Sequence, residues 1–334
     1  MNRWFRWLAG TLLPLAGVLA CGAANEGDAR SWLAERLAGG EAVVAGRDGW
    51  LYLPADLRAL TLPDLAALSP GAGGEADPLP AIVDFAAQVQ RAGGELLLVP
   101  VPPKPLVYPE PLLPAALVRE ADALARPLAA LYAELARHEV AVLDLLPLLR
   151  AAREREAEPL YCRTDTHWSP RGIAVAAAAI AERAGRPEWL AAVPRREVRA
   201  SRDELTIAGD LGRLLPAPRP PAERLPATLF TDSGGAPLAP WRESPVLLLG
   251  DSHALVFHAG GELHARGGGL ADHLAAAWGF PVDLVAVRGS GGTPARVNLL
   301  RRGDGLAGKR LVIWVFAARE LAAGQGWKRV PVVP

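Results

Sequence analysis

Two short clusters carry residue types capable of covalent chemistry. The first is Gly250-Asp251-Ser252-His253, directly after the apolar run 246–249. In open α/β sheets, ligands sit outside the carboxyl ends of the strands. A serine there, at the entry to a turn or helix, lies beside backbone N–H groups that have no intrahelical acceptor. Such groups can hold an oxyanion and favour charge on the serine oxygen. The second cluster is Thr164-Asp165-Thr166-His167-Trp168. A serine nucleophile needs a base, and the base needs a carboxylate to orient it. In an extended loop, residues i and i+2 project to one side, so Asp165 can reach the imidazole of His167. Each cluster also has a plainer reading, Ser252 as a helix cap and His167 as a satisfied structural histidine. Together they favour chemistry, since two of the six histidines, His167 and His253, fall in them. His253 reads as a wall residue near the substrate, pointing away from the serine.

The other candidates are weaker. His258, His264 and His273 lie in or near a glycine-rich stretch. His253, His258 and Glu262 do not follow metal-binding HExxH spacing, and the runs Gly260-Gly261 and 267–269 make a rigid helix there unfavourable. No metal and no cofactor is expected. Arg288-Gly289-Ser290-Gly291-Gly292 follows another strand-like run. Its small residues allow a close backbone approach, either as a second oxyanion donor near Gly291 or as a plain turn. The phosphate-binding spacing GxxxxGK[ST] is absent.

The elements that must position these residues are legible as apolar runs. Residues 95–101, 140–145, 246–249, 283–287 and 311–316 have the length and composition of buried parallel strands. Helical spacing or capping signals mark 29–39, 80–92, 117–138, 146–157, 171–184 and 270–278. Residues 42–53 read as a β-hairpin through the turn Arg47-Asp48-Gly49. Alternating strands and helices imply a mostly parallel sheet covered on both faces. Residues 194–245 are rich in proline and poor in long apolar runs, which fits an extended excursion or small hairpin. Their place between the two clusters suggests a rim over the site.

The chain has 334 residues, of which 51% are hydrophobic, with 36 basic against 36 acidic side chains. That excludes overall disorder and argues against nucleic-acid binding. Cys21 and Cys162 cannot form a disulfide framework. Residues 1–24 combine Arg3 and Arg6 with an uncharged apolar stretch and small residues, the pattern of a secretory signal. A retained signal anchor fits too, and the segment 18–21 loosely matches a lipobox. One α/β domain over 25–334, interrupted at 194–245, is expected.

The residues also resemble a family. A GDS after one strand, a glycine loop after the next and an Asp-x-His pair are similar to the SGNH hydrolase superfamily. The Asp-His pair precedes the serine, and this permuted order resembles the SGNH-like proteins of alginate O-acetylation, the AlgX/AlgJ type. GRDGWLYL (46–53), VPVPPKPLVYPE (99–110), YCRTDTHWSPRG (161–172), GDLGRLL (209–215), LLLGDSHA (247–254) and VIWVFAARELA (312–322) follow in the expected order. The resemblance implies a three-layer α/β sandwich with Ser252 as acetyl-carrying nucleophile, His167 as base and Asp165 as its orienter. It places the oxyanion hole at the Ser252 N–H and Gly291, with His253 and Arg288 near the substrate and Arg319 either structural or near the substrate. It implies an exported, periplasmic O-acetyltransferase acting on an exopolysaccharide and supplied by a membrane-bound O-acyltransferase. The chain ends soon after its last strand, without the carbohydrate-binding module of the AlgX type, so it looks like the single-domain AlgJ type. A carbohydrate acetylesterase and a non-catalytic polysaccharide-assembly protein are the alternatives, because transfer and hydrolysis share one acyl-enzyme.

Overall fold

A computed structural model describes residues 27–63, 65, 77–322 and 326–333. The signal-like residues 1–24 lie outside the described residues. In chain order the strands are β1 (Val44–Ala45), β2 (Leu51–Tyr52), β3 (Glu95–Val101), β4 (Ala141–Val142), β5 (Arg199–Ile207), β6 (Glu223–Thr231), β7 (Val246–Gly250), β8 (Asp283–Ala286) and β9 (Leu311–Ala317). Five of them form one sheet in the order β4-β3-β9-β7-β8, with every neighbouring pair parallel. Counted from β7, this is the doubly wound order 2-1-3-4-5, entered partway through because the chain begins elsewhere in the cycle.

β9 reads LVIWVFA and is buried at every residue, so helices and loops cover both faces of the sheet. It pairs with β3 from Glu95↔Leu311 to Val101↔Ala317 and with β7 from Val246↔Leu311 to Gly250↔Val315. The flanking strands β3 and β7 thus end opposite Ala317 and Val315, both at the carboxyl end of the central β9. The switch point of the strand order falls between β7 and β9, and ligand sites form at such points.

The five expected strands and the 42–53 hairpin are present, and the helices fall close to their expected spans. β4 is shorter than its apolar run. Leu143 still donates to the Leu98 carbonyl, but Asp144 leaves the strand to cap helix Leu145–Arg153 through the Leu146 N–H, at 2.9 Å. The expected helix 117–138 is a 3-10 turn, Ala115–Glu120, followed by an α-helix, Ala121–Arg137. Helices Pro54–Thr61 and Thr293–Arg302 were not apparent from apolar spacing. In the second of these, the buried positions include Arg296, whose guanidinium lies against the rings of Trp314 and Trp327. Within 194–245, β5 and β6 pair antiparallel over nine residues each, joined through the helical turn Asp210–Leu214. Among the described residues no helix is long and apolar enough to cross a membrane.

Candidate active site

Ser252 follows the carboxyl end of β7 and opens the helical turn Ser252–Leu255. Gly250 lets β7 run that close to β9, since a Cβ there would sit 2.3 Å from the Val315 carbonyl oxygen. Asp251 then fixes the turn. Its Oδ1 accepts the His253 N–H at 2.8 Å and its Oδ2 accepts the Ala317 N–H at 2.8 Å. Burial by itself raises the Asp251 carboxyl, but His253, Arg319 and the Ala317 N–H outweigh it and hold the group well below the ordinary carboxylate range. The Ser252 N–H lies at the first position of the turn, where no intrahelical acceptor exists.

The Asp165 loop comes from the far side of the sheet order. Tyr161 and Trp168 bridge antiparallel across it, and the Cys162 N–H donates to the His167 carbonyl at 3.2 Å. Inside it, Lys104 donates from Nζ to the carbonyls of Cys162 (3.0 Å), Arg163 (3.3 Å) and Asp165 (2.7 Å). From outside, the Glu223 carboxylate accepts the N–H groups of Arg163 at 2.8 Å and Thr164 at 2.6 Å. Asp210 accepts the Thr166 N–H at 2.7 Å. The hairpin of residues 194–245 therefore reaches the loop through Asp210 and Glu223.

These elements bring the three expected residues together. His167 Nε2 is 2.8 Å from Ser252 Oγ, and His167 Nδ1 is 2.7 Å from Asp165 Oδ1. Asp165 and His167 are buried, and Ser252 is half-buried. Burial disfavours the imidazolium of His167, yet the carboxylates of Asp165, Asp210 and Asp251 reverse that and raise its pKa above 6.5. Asp165 is likewise pushed up by burial but drawn well below 3.8 by its two imidazole partners. The serine, base and carboxylate have the hydrogen-bonded order that activates a nucleophile.

The other expected residues are placed differently. The Gly291 N–H donates to Glu320 Oε1 at 2.8 Å, so it is not a free oxyanion donor. Ser290 Oγ and the Gly292 N–H donate to the other oxygen of Glu320, at 2.7 and 2.9 Å. Arg288 forms an exposed ion pair with Glu262 at 2.8 Å. Arg319 pairs with the buried Asp56 at 3.0 Å, which supports the structural one of its two readings. His253 is buried, with Nδ1 3.1 Å from Asp251 Oδ1 and its ring 4.9 Å from that of His167. It backs the base and is closed off from solvent. His258 pairs with Asp272 and Glu262 with Arg288, so His253, His258 and Glu262 each serve a different partner.

Sequence reasoning missed Lys104, Asp210 and Glu223, and placed His264 only among the weaker candidates. His264 Nε2 lies 3.0 Å from Asp165 Oδ2, beside the Asp210 N–H at 2.8 Å. The one signal for it was membership of a small set of histidines near the serine. Among the described residues, Asp165, His167 and Asp210 also form a cluster with ligand atoms within 4.8 Å of one another. Asp165 and His167 already spend those atoms on each other, which suits a hydrogen-bonded relay better than a cation site.

A parallel α/β sheet with a serine at its switch point, met by an Asp-x-His loop from between helices Leu145–Arg153 and Pro170–Ala184, defines an SGNH-like protein. Residues 43–318 match the family model described as SGNH hydrolase-like domain, acetyltransferase AlgX, and the chain belongs to that family. The O-acetyltransferase domain of Pseudomonas putida AlgJ superposes with a TM-score of 0.62 at 25% identity, over 84% of this chain and 92% of that one. Pseudomonas aeruginosa AlgX superposes with a TM-score of 0.63 at 21% identity, over 87% of this chain and 66% of that one, which speaks to the fold. The probable alginate O-acetylase AlgJ of Pseudomonas syringae pv. tomato is 34% identical over 181 residues, 52% of this chain and 41% of the relative. The corresponding P. putida protein is 31% identical over 230 residues, 64% of this chain and 54% of the relative. The chain thus spans about half the length of the curated relatives it matches.

Proposed function

We propose that this protein is an exported O-acetyltransferase that carries an acetyl group on Ser252 and passes it to hydroxyls of an alginate-like exopolysaccharide. The observation that carries the reading is the line Ser252 Oγ, His167 Nε2, His167 Nδ1, Asp165 Oδ1, with contacts of 2.8 and 2.7 Å. In the first half-reaction His167 takes the Ser252 proton while Oγ bonds to the acetyl carbonyl carbon. The carbonyl oxygen gains negative charge beside the Ser252 N–H. Collapse expels the donor's leaving group, which takes the proton from His167. In the second half, His167 takes the proton of an acceptor hydroxyl, whose oxygen attacks the acetyl carbon, and Ser252 regains its hydrogen.

Support for transfer over hydrolysis comes from the relatives, which are named as acetylases of alginate. The signal-like residues 1–24, together with those relatives, support a periplasmic setting. Acetyl donors are made inside the cell, so a membrane-bound O-acyltransferase is the partner this reading requires. The test is intact-protein mass spectrometry after incubation with an activated acetyl ester, with Ser252→Ala and His167→Ala beside the wild type. One acetyl adduct, absent from Ser252→Ala and at least about 100-fold slower to form in His167→Ala, is expected. An adduct that persists in Ser252→Ala overturns the reading. Chasing the adduct with polysaccharide separates transferase from esterase.

A further inference from the structure

Asp165 accepts four donors, as many as a carboxylate has lone-pair positions. Oδ1 takes the N–H and Nδ1 of His167, both from its own loop. Oδ2 takes the Asp210 N–H, from the turn after β5, and Nε2 of His264 at 3.0 Å. Of these donors, His264 alone belongs to the segment that follows Ser252. It therefore connects the loop of the base to the segment of the nucleophile, 99 positions away in sequence. Its own place is built. The Phe257 N–H donates to the Leu263 carbonyl and the Gly260 N–H to the Ala265 carbonyl, closing a tight turn. His264 sits in that turn at φ 73°, in the left-handed region. Its ring packs on Phe257 with centroids 5.1 Å apart and is 7% exposed. A solvated surface histidine has neither a packed, buried ring nor a buried carboxylate partner.

We propose that His264 is a positioning residue for acyl transfer. By donating to Oδ2 it fixes the rotation of the Asp165 carboxylate, which keeps Oδ1 on His167 Nδ1 and His167 Nε2 on Ser252. This inference rests on the acyl-serine reading above. Misplacing a catalytic group by about an ångström costs on the order of 100-fold in rate, so the third contact is large enough to measure.

The experiment uses the full chain as wild type, His264→Ala, His264→Gln and Ser252→Ala. Turnover of 4-nitrophenyl acetate gives kcat and KM. Proton NMR reads the downfield Nδ1–H signal of His167 bound to Asp165, assigned by its loss in His167→Gln. His264→Ala is expected to lower kcat roughly 10- to 100-fold with KM unchanged within about twofold. It is expected to broaden or abolish the downfield signal as well. His264→Gln, whose amide nitrogen can replace Nε2, is expected to recover most of both. Unchanged kcat and an unchanged signal in His264→Ala overturn the proposal, as does an equal loss in the Ala and Gln variants. If His264→Ala does not fold, His264→Phe takes its place, keeping a ring on Phe257 without the donor. Retained turnover in Ser252→Ala overturns the acyl-serine reading instead. The NMR signal still decides the His264 contact in that case, and also if the wild type does not turn over the ester.

Discussion

In the proposed acyl transfer, His167 sits between a hydroxyl that must lose a proton and a carboxylate that must not accept one. Asp165 is suited to that second task because burial among donors keeps it ionised, well below the ordinary carboxylate range. Asp165→Asn preserves the shape but offers an amide where His167 needs an acceptor, so acetyl-serine formation is expected to fall by about 10³- to 10⁴-fold. Adduct formation measured by stopped reaction and mass spectrometry checks this, and a loss below about tenfold would count against the role. The pH dependence follows from the raised pKa of His167. The base works only when neutral, so kcat/KM is expected to climb with pH through a value above 6.5. The sign for stability is the reverse. A histidine whose folded pKa exceeds its unfolded one stabilises the protein fully below the unfolded value, and this is lost as pH rises through the folded value. Rate and this part of stability therefore move in opposite directions across one window. A profile whose acid limb falls below pH 6.5 would sink the assignment.

At the scale of elements, the Asp165 loop holds its shape because of what is inserted into it. Lys104→Met removes the donor shared by three carbonyls, one of them that of Asp165 itself. The Arg163 carbonyl keeps the Leu51 N–H, but leaving the buried Cys162 and Asp165 carbonyls without this donor is expected to cost about 2–4 kcal/mol, read by urea denaturation. Gly209 has no room for a side chain, since a Cβ there would lie 2.1 Å from the Thr164 carbonyl oxygen. Gly209→Ala must push the Asp210 turn off the loop, with about 1–3 kcal/mol of destabilisation and loss of the Asp210 N–H bond to Asp165. Turnover is expected to fall with it. An active variant of wild-type stability would show that the turn does not position Asp165. The strands were legible because a buried parallel strand is a continuous apolar run, and the Asp-x-His pair because its two members are local. Lys104 lies among prolines after β3, and nothing in its neighbours marks it as a buried donor. Asp210, Glu223 and His264 reach the site across 44 or more positions, and no period in a sequence marks such contacts. Gly291 misled because a strand-end glycine looks the same whether its N–H faces a ligand or the carboxylate of Glu320.

At the scale of the whole molecule, the carboxyl end of β9 joins three parts of the chain. Ala317 holds Asp251 and the serine turn, Arg319 holds Asp56 at the start of helix Pro54–Thr61, and Glu320 holds the loop 290–292 after β8. Glu320 is the group there that responds to pH. Burial and the charge of Asp251 push it from 4.5 up to about 7, although three donors favour its ionised form. Between those values the folded protein keeps a proton that the unfolded chain has lost, so this group subtracts stability as pH rises from about 4.5 to 7. The buried imidazoles of His253 and His273 act the other way, since burial lowers both and they weaken the fold as pH falls. The wild-type curve alone therefore does not isolate Glu320, but a difference does. Relative to wild type, Glu320→Gln is expected to gain about 1–3 kcal/mol between pH 5 and pH 8. Parallel urea titrations of the two proteins at several pH values measure this, because the imidazole contributions cancel in the subtraction. A constant difference across that range would mean that Glu320 is already ionised in the folded protein at pH 5, with the donors of loop 290–292 outweighing Asp251.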